Sequence, residues 1–249
     1  SKMSEKGSRI GIVTSGSPLF TGGAGSGESN IRKWIIENDW LECIVALPTN
    51  LFYNAGIGTY IWILSNNKEE RRKGKVQLIN AVSFCVPSKK SLGDKRNEIR
   101  EDVDVPAIME IYNSFENGKF SRVFRNQDFG FLELTVEQPK RKDNGDLDLK
   151  KGAKQPDSNL RSTERVRLDQ NVKEYFTTEV LPHIDQEAWL DLTKTRIGYE
   201  INFQQYFYEY QKLEESTVIS KRLNARMFGD PEHPEEKSIV ELINAIFAD

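Results

Sequence analysis

The sequence is poor in the residues that build disulfide frameworks, metal sites and membrane spans. It has two cysteines, Cys43 and Cys85, and two histidines, His183 and His233, among 249 residues. So few cysteines argue against a disulfide framework and favour a reducing, cytoplasmic compartment. The histidines lie far apart without ligand spacing, which argues against a metal site. No apolar run reaches about 18 residues, so no membrane span is expected.

A strong charge of one sign is also missing. The formal net charge is −3, with 29% charged and 37% hydrophobic residues, a composition typical of one large globular domain or two small ones. This net charge provides no global basic field for nucleic acid, but it does not exclude a local phosphate-binding face. Residues 89–100 hold five basic side chains. They fit a patch near DNA or, as the favoured interpretation, a solvated helix face.

A nucleotide-binding phosphate loop is absent as well. Residues 21–29 are rich in glycine and precede a predicted helix, which is the right position for a phosphate cradle. They lack the Gly-Lys-Ser/Thr ending, and their spacing fits neither a P-loop nor the dinucleotide fingerprint. A flexible turn is the favoured interpretation, and a generic nucleotide-binding protein is disfavoured.

What the sequence does contain is a run of strand and helix patterns between residues 7 and 68. Residues 10–13, 41–47 and 59–64 have strand length, β-branched or aromatic content and turn residues at their borders. Between the first two runs, the apolar stripe Ile31, Trp34 and Ile35 predicts a helix of about three turns. We therefore expect a βαβ unit in a sheet covered on both faces, with the third strand returning antiparallel at the sheet edge.

The loop between the second and third strands, residues 48–58, carries the candidate site. It leaves the carboxyl end of a strand, where open α/β sheets bind their ligands. It contains Asn50, the adjacent rings of Phe52 and Tyr53, and two glycines. From the residues alone, a hydrophobic plug over the end of the sheet is favoured over a binding role, since aromatic side chains mostly pack.

Several motifs follow one another in a fixed order through this stretch. They are the turn at residues 16–23, Ile31-Arg32, Leu47-Pro48, Asn-Leu-Phe-Tyr at residues 50–53, Gly56-Ile57 and the strand at residues 59–65. In order and spacing they resemble the second half of the methyltransferase domain in modification subunits of type I restriction–modification systems, an N6-adenine DNA methyltransferase family. Thr14-Ser15 and Gly58 depart from the family pattern, which often has Leu-Pro-Asn and Pro there. A second block of resemblance covers residues 170–208.

The resemblance implies an α/β fold class: the C-terminal half of a Rossmann-like, S-adenosylmethionine-dependent methyltransferase sheet, followed by a mixed α+β and helical C-terminal region. Such enzymes need an Asn/Asp-Pro-Pro-aromatic tetrapeptide and a glycine-rich cofactor turn after a strand, and this sequence has neither. By the family's order both precede residue 1. We therefore expect the C-terminal portion of a longer protein, inactive alone, with S-adenosylmethionine bound mainly upstream.

The same resemblance implies the site residues and the partners. Phe52 or Tyr53 would stack on the flipped target adenine, and Asn50 would fix the loop or touch the sugar-phosphate. No catalytic or cofactor-binding residue is expected in this chain. The implied partners are double-stranded DNA, a specificity subunit, a second modification subunit and, where the system has one, a restriction subunit. The alternative function is a non-catalytic assembly module that joins the methyltransferase to the specificity subunit.

We divide the chain into three parts. Residues 1–87 are the second half of the catalytic domain, residues 88–165 a helix–strand extension with a charged linker, and residues 166–249 a region for subunit assembly. The further predicted elements are a strand at 76–82, a helix at 106–115, strands at 120–124 and 131–136, a linker or long surface insertion at 139–165, a helix from Asp169 to 180, a strand at 196–203 and a helix at 234–247. The strand at 196–203 is expected to place Ile197, Tyr199, Ile201 and Phe203 on one face. The last helix fits partner binding and self-packing equally well.

Overall fold

The computed structural model describes residues 3–210, 213–229 and 237–246. The chain separates into two compact units, Ser1–Phe207 and Tyr208–Asp249. Within the described residues, the first unit contains the strands and the second contains two helices. No helix in these ranges is long and apolar enough to cross a membrane. The finer division at residues 87 and 165 stays a prediction.

The main sheet of the first unit is mixed and has five strands. They are β1 (Arg9–Ser15), β2 (Leu41–Ala46), β3 (Thr59–Ser65), β4 (Lys75–Asn80) and β7 (Ser121–Arg125), in the order β1-β3-β2-β4-β7. Two helices, α1 (Ser17–Phe20) and α2 (Gly27–Glu37), connect β1 to β2. β2 and β4 are parallel, and the other neighbours are antiparallel. The expected α/β character is confirmed.

β3 lies inside this sheet. It pairs antiparallel with β1 on one side and with β2 on the other. The predicted antiparallel return is therefore confirmed, while the predicted position at the sheet edge is wrong. The crossover through α2 leaves β1 and β2 parallel but one strand apart, and the returning chain fills that gap.

The two strands joined by α2 differ sharply in burial. β2 is buried along its whole length, whereas no residue of β1 is buried. Ile12 and Val13 of β1 are 44% and 53% exposed. The expectation of a sheet covered on both faces holds for β2 and is wrong for β1, which is the outer strand and presents apolar side chains to solvent.

Helix α2 forms where it was predicted, but of the predicted apolar stripe only Ile35 packs against the core. Ile31 and Trp34 are 59% and 53% exposed, while Ser29, Arg32 and Ile36 are buried. The apolar stripe was misleading because the buried face is built around an arginine whose charge is satisfied by backbone carbonyls. Periodicity of apolar residues does not reveal such a contact.

Most of the basic stretch at residues 89–100 belongs to a β-hairpin, which ends at Glu98, so the predicted solvated helix face is wrong. β5 (Val86–Leu92) pairs antiparallel with β6 (Lys95–Glu98). The turn between them begins at Gly93, whose φ of 62° suits the first position of a two-residue hairpin turn. The predicted helix follows as α3 (Asp104–Ser114), and Ile108, Ile111 and Tyr112 pack on the main sheet.

A second sheet has three antiparallel strands. β8 (Gly130–Glu137) lies between β11 (Ser162–Arg167) and β12 (Trp189–Tyr199). The stretch predicted as a linker, residues 139–165, therefore ends inside a strand, and it also contains a short hairpin of β9 (Leu149–Lys150) and β10 (Ala153–Lys154). β11 was not predicted from the sequence, because Val166 is the only one of its residues that is buried.

The helical segment after β11 begins later than predicted. α4 (Val172–Tyr175) is capped by Asn171, whose side chain accepts hydrogen bonds from the Lys173 and Glu174 N–H groups at 3.0 and 3.3 Å. Asp169, the predicted cap, instead accepts hydrogen bonds from arginine side chains. The helical path continues to residue 183 through a π turn and a 3-10 turn.

β12 ends at Tyr199, so the predicted strand at 196–203 is only partly correct. Ile201 and Phe203 lie beyond the strand, and Phe203 starts α5 (Phe203–Tyr206). Tyr199, Ile201 and Phe203 still pack together in the main core, but Ile197 is 38% exposed and lies outside that core cluster. The chain leaves the sheet and turns its next apolar residues inward without strand geometry.

The second unit contains α6 (Ser216–Phe228) and α7 (Ile239–Ile246). α6 was not predicted from the sequence. The predicted last helix, 234–247, is observed over the bounds of α7, and residues 234–236 and 247 lie outside the described residues, as does His233.

Candidate functional site

The loop at residues 48–58 leaves the main sheet at the carboxyl end of β2. β1, β2 and β4 run in the same direction, so their carboxyl ends meet at one edge of the sheet. This is the edge at which open α/β sheets bind ligands. The Leu47 N–H donates a hydrogen bond to the Thr59 carbonyl at 2.8 Å, which closes the base of the loop.

Asn50 ties this loop to the β5–β6 hairpin. Its backbone is left-handed, with φ of 55°, a conformation that Asn tolerates well. Its side-chain nitrogen donates to the Asp94 carbonyl at 2.9 Å, and its carbonyl accepts from the Arg96 and Asn97 N–H groups at 2.9 and 3.1 Å. The Asn97 side chain also donates to the Thr49 carbonyl at 2.9 Å. The loop is therefore fixed at Asn50, and the contact to a sugar-phosphate stays a prediction.

The two rings of the loop lie at the surface. Phe52 and Tyr53 are 39% and 67% exposed, whereas Leu51 packs on the core below them. The hairpin supports the loop closely, because a Cβ at Gly93 would lie 3.0 Å from Asn54 Oδ1 and 3.5 Å from the Tyr53 ring. Leu51 thus supplies the packing, and the exposed rings do not match the interpretation of the loop as a hydrophobic plug.

A cleft of about 500 Å³ opens at the same edge. Its walls come from the turn between β1 and α1, from Ile57 and Gly58 at the end of the loop, and from residues 201–205. Phe52 and Tyr53 are not among its described lining residues. The loop therefore contributes Ile57 and Gly58, at its C-terminal end, to the cleft, while the two rings lie outside the cleft.

Tyr60 and Gln204 line this cleft and were not predicted as site residues. The Tyr60 ring meets Phe203 edge-on, with centroids 5.3 Å apart. Burial raises the pKa of the Tyr60 phenol, and its hydrogen bond with the Gln204 side chain acts in the opposite direction. With Asn202 and Gln205, the wall offers amides beside aromatic faces, which are groups that bind a planar ring with polar edges. Their only signal in the sequence was the resemblance, whose first block contains Tyr60 and whose second block contains the three amides.

Arg32 holds the turn that forms one wall of the cleft. Its guanidinium donates to the carbonyls of Pro18 at 3.1 Å, Thr21 at 2.8 Å and Tyr199 at 2.6 Å. Ser29, one turn earlier, accepts a hydrogen bond from the Tyr199 N–H at 3.0 Å. Helix α2 thereby joins the turn after β1 to the end of β12.

In the glycine-rich turn at residues 21–29, the space beside Gly22 is closed to a phosphate or to S-adenosylmethionine. A Cβ at Gly22 would lie 2.3 Å from Ser26 Oγ and 2.7 Å from Glu28 Oε2, so the chain's own side chains fill this space. Ser26 also caps α2 by accepting from the Ser29 N–H at 3.3 Å. The residues around Gly22 therefore do not fit the cofactor. Among the described residues, no cluster of His, Cys, Asp and Glu could hold a metal ion.

Comparison with known proteins gives consistent matches. The family model described as N-6 DNA Methylase matches residues 1–137. The methylase subunit of the type I restriction enzyme MjaVII from Methanocaldococcus jannaschii is 36% identical over 156 residues, 57% of this chain. The methylase subunit of the type I restriction enzyme HindI from Haemophilus influenzae is 29% identical over 178 residues, 70% of this chain. A solved structure, the methyltransferase subunit of a type I restriction–modification system from Streptococcus thermophilus, shares 26% identity with a TM-score of 0.41, covering 49% of this chain and 24% of that chain.

These relatives are much longer than the chain. It spans 25% of the MjaVII subunit and 37% of the HindI subunit. The family match includes the main sheet, the loop at residues 48–58 and the β5–β6 hairpin. The resemblance predicted from the order of motifs is confirmed by these matches.

Proposed function

Because this chain belongs to the N-6 DNA methylase family, we propose that it is part of a site-specific DNA adenine-N6 methyltransferase subunit of a type I restriction–modification complex. Its role is to form the side of the active site that receives the target base. S-adenosylmethionine, which supplies the methyl group, is bound by parts of the subunit outside this chain. The chain alone is inactive.

The observation that carries the proposal is the pair of exposed rings on a fixed loop at the ligand-binding edge of the sheet. The amino group of adenine is paired inside the duplex, so an enzyme that modifies it must extrude the base. The extruded base loses its stacking neighbours, and an aromatic side chain restores about 1–3 kcal/mol per base. Phe52 and Tyr53, 39% and 67% exposed, have free faces for this contact.

The adjoining cleft supports the same role. Its amide and hydroxyl groups, including those of Asn202, Gln204 and Tyr60, suit hydrogen bonds to a base edge or a sugar. Its described lining contains no charged side chain. The residues of this chain therefore bind and orient the base, and no proton acceptor is assigned among them.

The open edge of β1 supports a position inside a larger sheet. An edge strand presents unpaired backbone groups that are a template for another strand. Beside it lies an apolar hollow of about 390 Å³, lined by residues such as Ile12, Ile31 and Trp62. The proposed occupant is the preceding half of the methyltransferase sheet, which the relatives are long enough to supply.

The test uses the full-length subunit, assembled with its partners, on a duplex with 2-aminopurine in place of the target adenine. Phe52→Ala or Tyr53→Ala is expected to change the fluorescence of the extruded base. The same variants should lower turnover on the matching adenine duplex, since 2-aminopurine has no N6 amino group to accept the methyl group. Loss of about 1–3 kcal/mol of stacking corresponds to about a 5- to 150-fold effect. Tyr53→Phe keeps the ring and serves as the matched control. Wild-type fluorescence and rate in both alanine variants would contradict the proposal.

A second candidate function, an assembly module, is favoured by the second compact unit. Ile219, Leu223 and Met227 recur every four residues on α6 and are 46%, 57% and 38% exposed. Residues at this spacing share one helix face, and an apolar helix face is a common docking element. We propose that residues 208–249 join the methylase to a long helix of the specificity subunit.

The two functions are separable by experiment. Ile219→Ser/Leu223→Ser removes the exposed apolar face of α6 without touching the loop at residues 48–58. We expect this variant to lose co-elution with the specificity subunit in size-exclusion chromatography, while Lys221→Ser, on the same helix, keeps it. Equal co-elution of both variants would argue against the assembly role and leave the base-binding role untouched.

A further inference from the structure

The β5–β6 hairpin concentrates positive charge in an otherwise acidic chain. Its cations are Lys89, Lys90, Lys95 and Arg96, against two carboxylates, whereas the whole chain has a net charge of −3. Among the described residues, none of these four side chains takes part in a salt bridge, although many arginines and lysines elsewhere in the first unit do. These four charges are therefore free for an anionic ligand.

The irregular register of the hairpin presents two of these charges at its outer surface. Pro87 pairs with Asn97 and Leu92 pairs with Lys95, so residues 88–91 oppose Arg96 alone. A bulge of this kind redirects side chains away from the regular alternation of a strand. Lys89 and Lys90 lie within the bulge, and both are exposed.

The hairpin is also fixed relative to the rings of the neighbouring loop. Backbone hydrogen bonds from Arg96 and Asn97 to Asn50, and the Asn50 side-chain bond to Asp94, span the two segments. The turn at Gly93 lies against Tyr53. The cations and the exposed rings thus form one surface, which we call the loop–hairpin surface (residues 48–58 and 86–98).

We propose that the β5–β6 hairpin binds the DNA phosphate backbone next to the extruded base, with Lys89 and Lys90 as its main contacts. This inference rests on the proposed function, since the ligand is the duplex whose base the loop receives. Lysine is a point charge that pairs with phosphate without reading sequence. The hairpin therefore adds affinity and holds the strand in register, while the rings hold the base.

The experiment that tests this phosphate contact compares two lysine pairs that both lie in hairpins. The full-length subunit carries Lys89→Gln/Lys90→Gln or, as the matched control, Lys150→Gln/Lys151→Gln from the exposed β9–β10 hairpin. Binding of a fluorescein-labelled duplex is measured by anisotropy between about 50 and 200 mM salt, and thermal unfolding checks that all three proteins are folded. Each phosphate contact contributes about 0.9 to the slope of log affinity against log salt.

We expect the slope of the Lys89/Lys90 variant to fall by about 1 to 2 units, and that of the control to match the wild type. An unchanged slope, or an equal fall in both variants, would overturn the hairpin contact. If the 2-aminopurine response is then still sensitive to Phe52→Ala, the proposed function survives and only the hairpin inference fails. A wild-type subunit without salt-dependent duplex binding would overturn both.

Discussion

Replacing Arg32 by methionine should strongly destabilise the chain. The side chain is 2% exposed and donates to the carbonyls of Pro18, Thr21 and Tyr199 at 3.1, 2.8 and 2.6 Å. Burial lowers the pKa of Arg32, and Glu200 and Glu28 act in the opposite direction. Methionine keeps most of the volume but leaves these three acceptors, and the Gly22 carbonyl at 3.4 Å, without their charged donor.

The expected size follows from those acceptors. An unsatisfied buried acceptor costs about 1–3 kcal/mol, and water reaches part of the turn, so we expect a total loss of about 3–5 kcal/mol. The assay is urea unfolding of the 249-residue chain with linear extrapolation. Lys33→Met is the matched control, because Lys33 makes only a 4.0 Å contact with Glu37, and it should change stability by less than about 0.5 kcal/mol. A loss below about 1 kcal/mol for Arg32→Met would refute the reasoning.

Two further predictions concern the stability of the fold at acid pH and the contact between the β5–β6 hairpin and the loop at residues 48–58. Hydrogen bonds from the Arg100 side chain and then from its backbone N–H lower the pKa of Asp104 to about 2 from 3.8. A carboxyl group whose pKa is lowered by folding stabilises the folded state at pH values above its ordinary pKa. This stabilisation is lost as the pH falls towards about 2. Asp104→Asn should therefore flatten the stability curve between about pH 5 and 2, and an unchanged curve would count against this pair. Gly93→Ala adds a side chain at φ of 62°, within 3.0 Å of Asn54 Oδ1. We expect a loss of about 1–2 kcal/mol together with an altered 2-aminopurine response, whereas Gly145→Ala, at φ of 87° with open space around it, should show the strain alone.

The sequence predicted the elements whose apolar residues dominate their own segment. β2 and β3 were recognisable because nearly every side chain is apolar, and α3 because Ile108, Ile111 and Tyr112 face the core. It failed where burial depends on a partner far along the chain. The buried face of α2 depends on the hydrogen bond from Arg32 to the Tyr199 carbonyl. No local sequence pattern indicates a contact between residues 167 apart.

The same limit applies to the candidate site. The loop with Asn50, Phe52 and Tyr53 was identified from its position after β2 and from the resemblance, and its role stays a prediction. Its support was not predictable, because the Asn50 bond to Asp94 joins residues 44 apart. The β5–β6 hairpin was not predicted, because a strand rich in lysine and serine lacks the apolar alternation of a half-buried strand.

The most direct test of the account asks which side chain touches the extruded base. In the assembled full-length subunit, the target adenine of the duplex is replaced by 5-iodouracil, the complex is irradiated, and the cross-linked peptide is identified by mass spectrometry. We expect the adduct on Phe52 or Tyr53 and its loss when both are changed to alanine. A cross-link confined to peptides outside residues 48–58, and still present in the double variant, would contradict the claim that this loop holds the base.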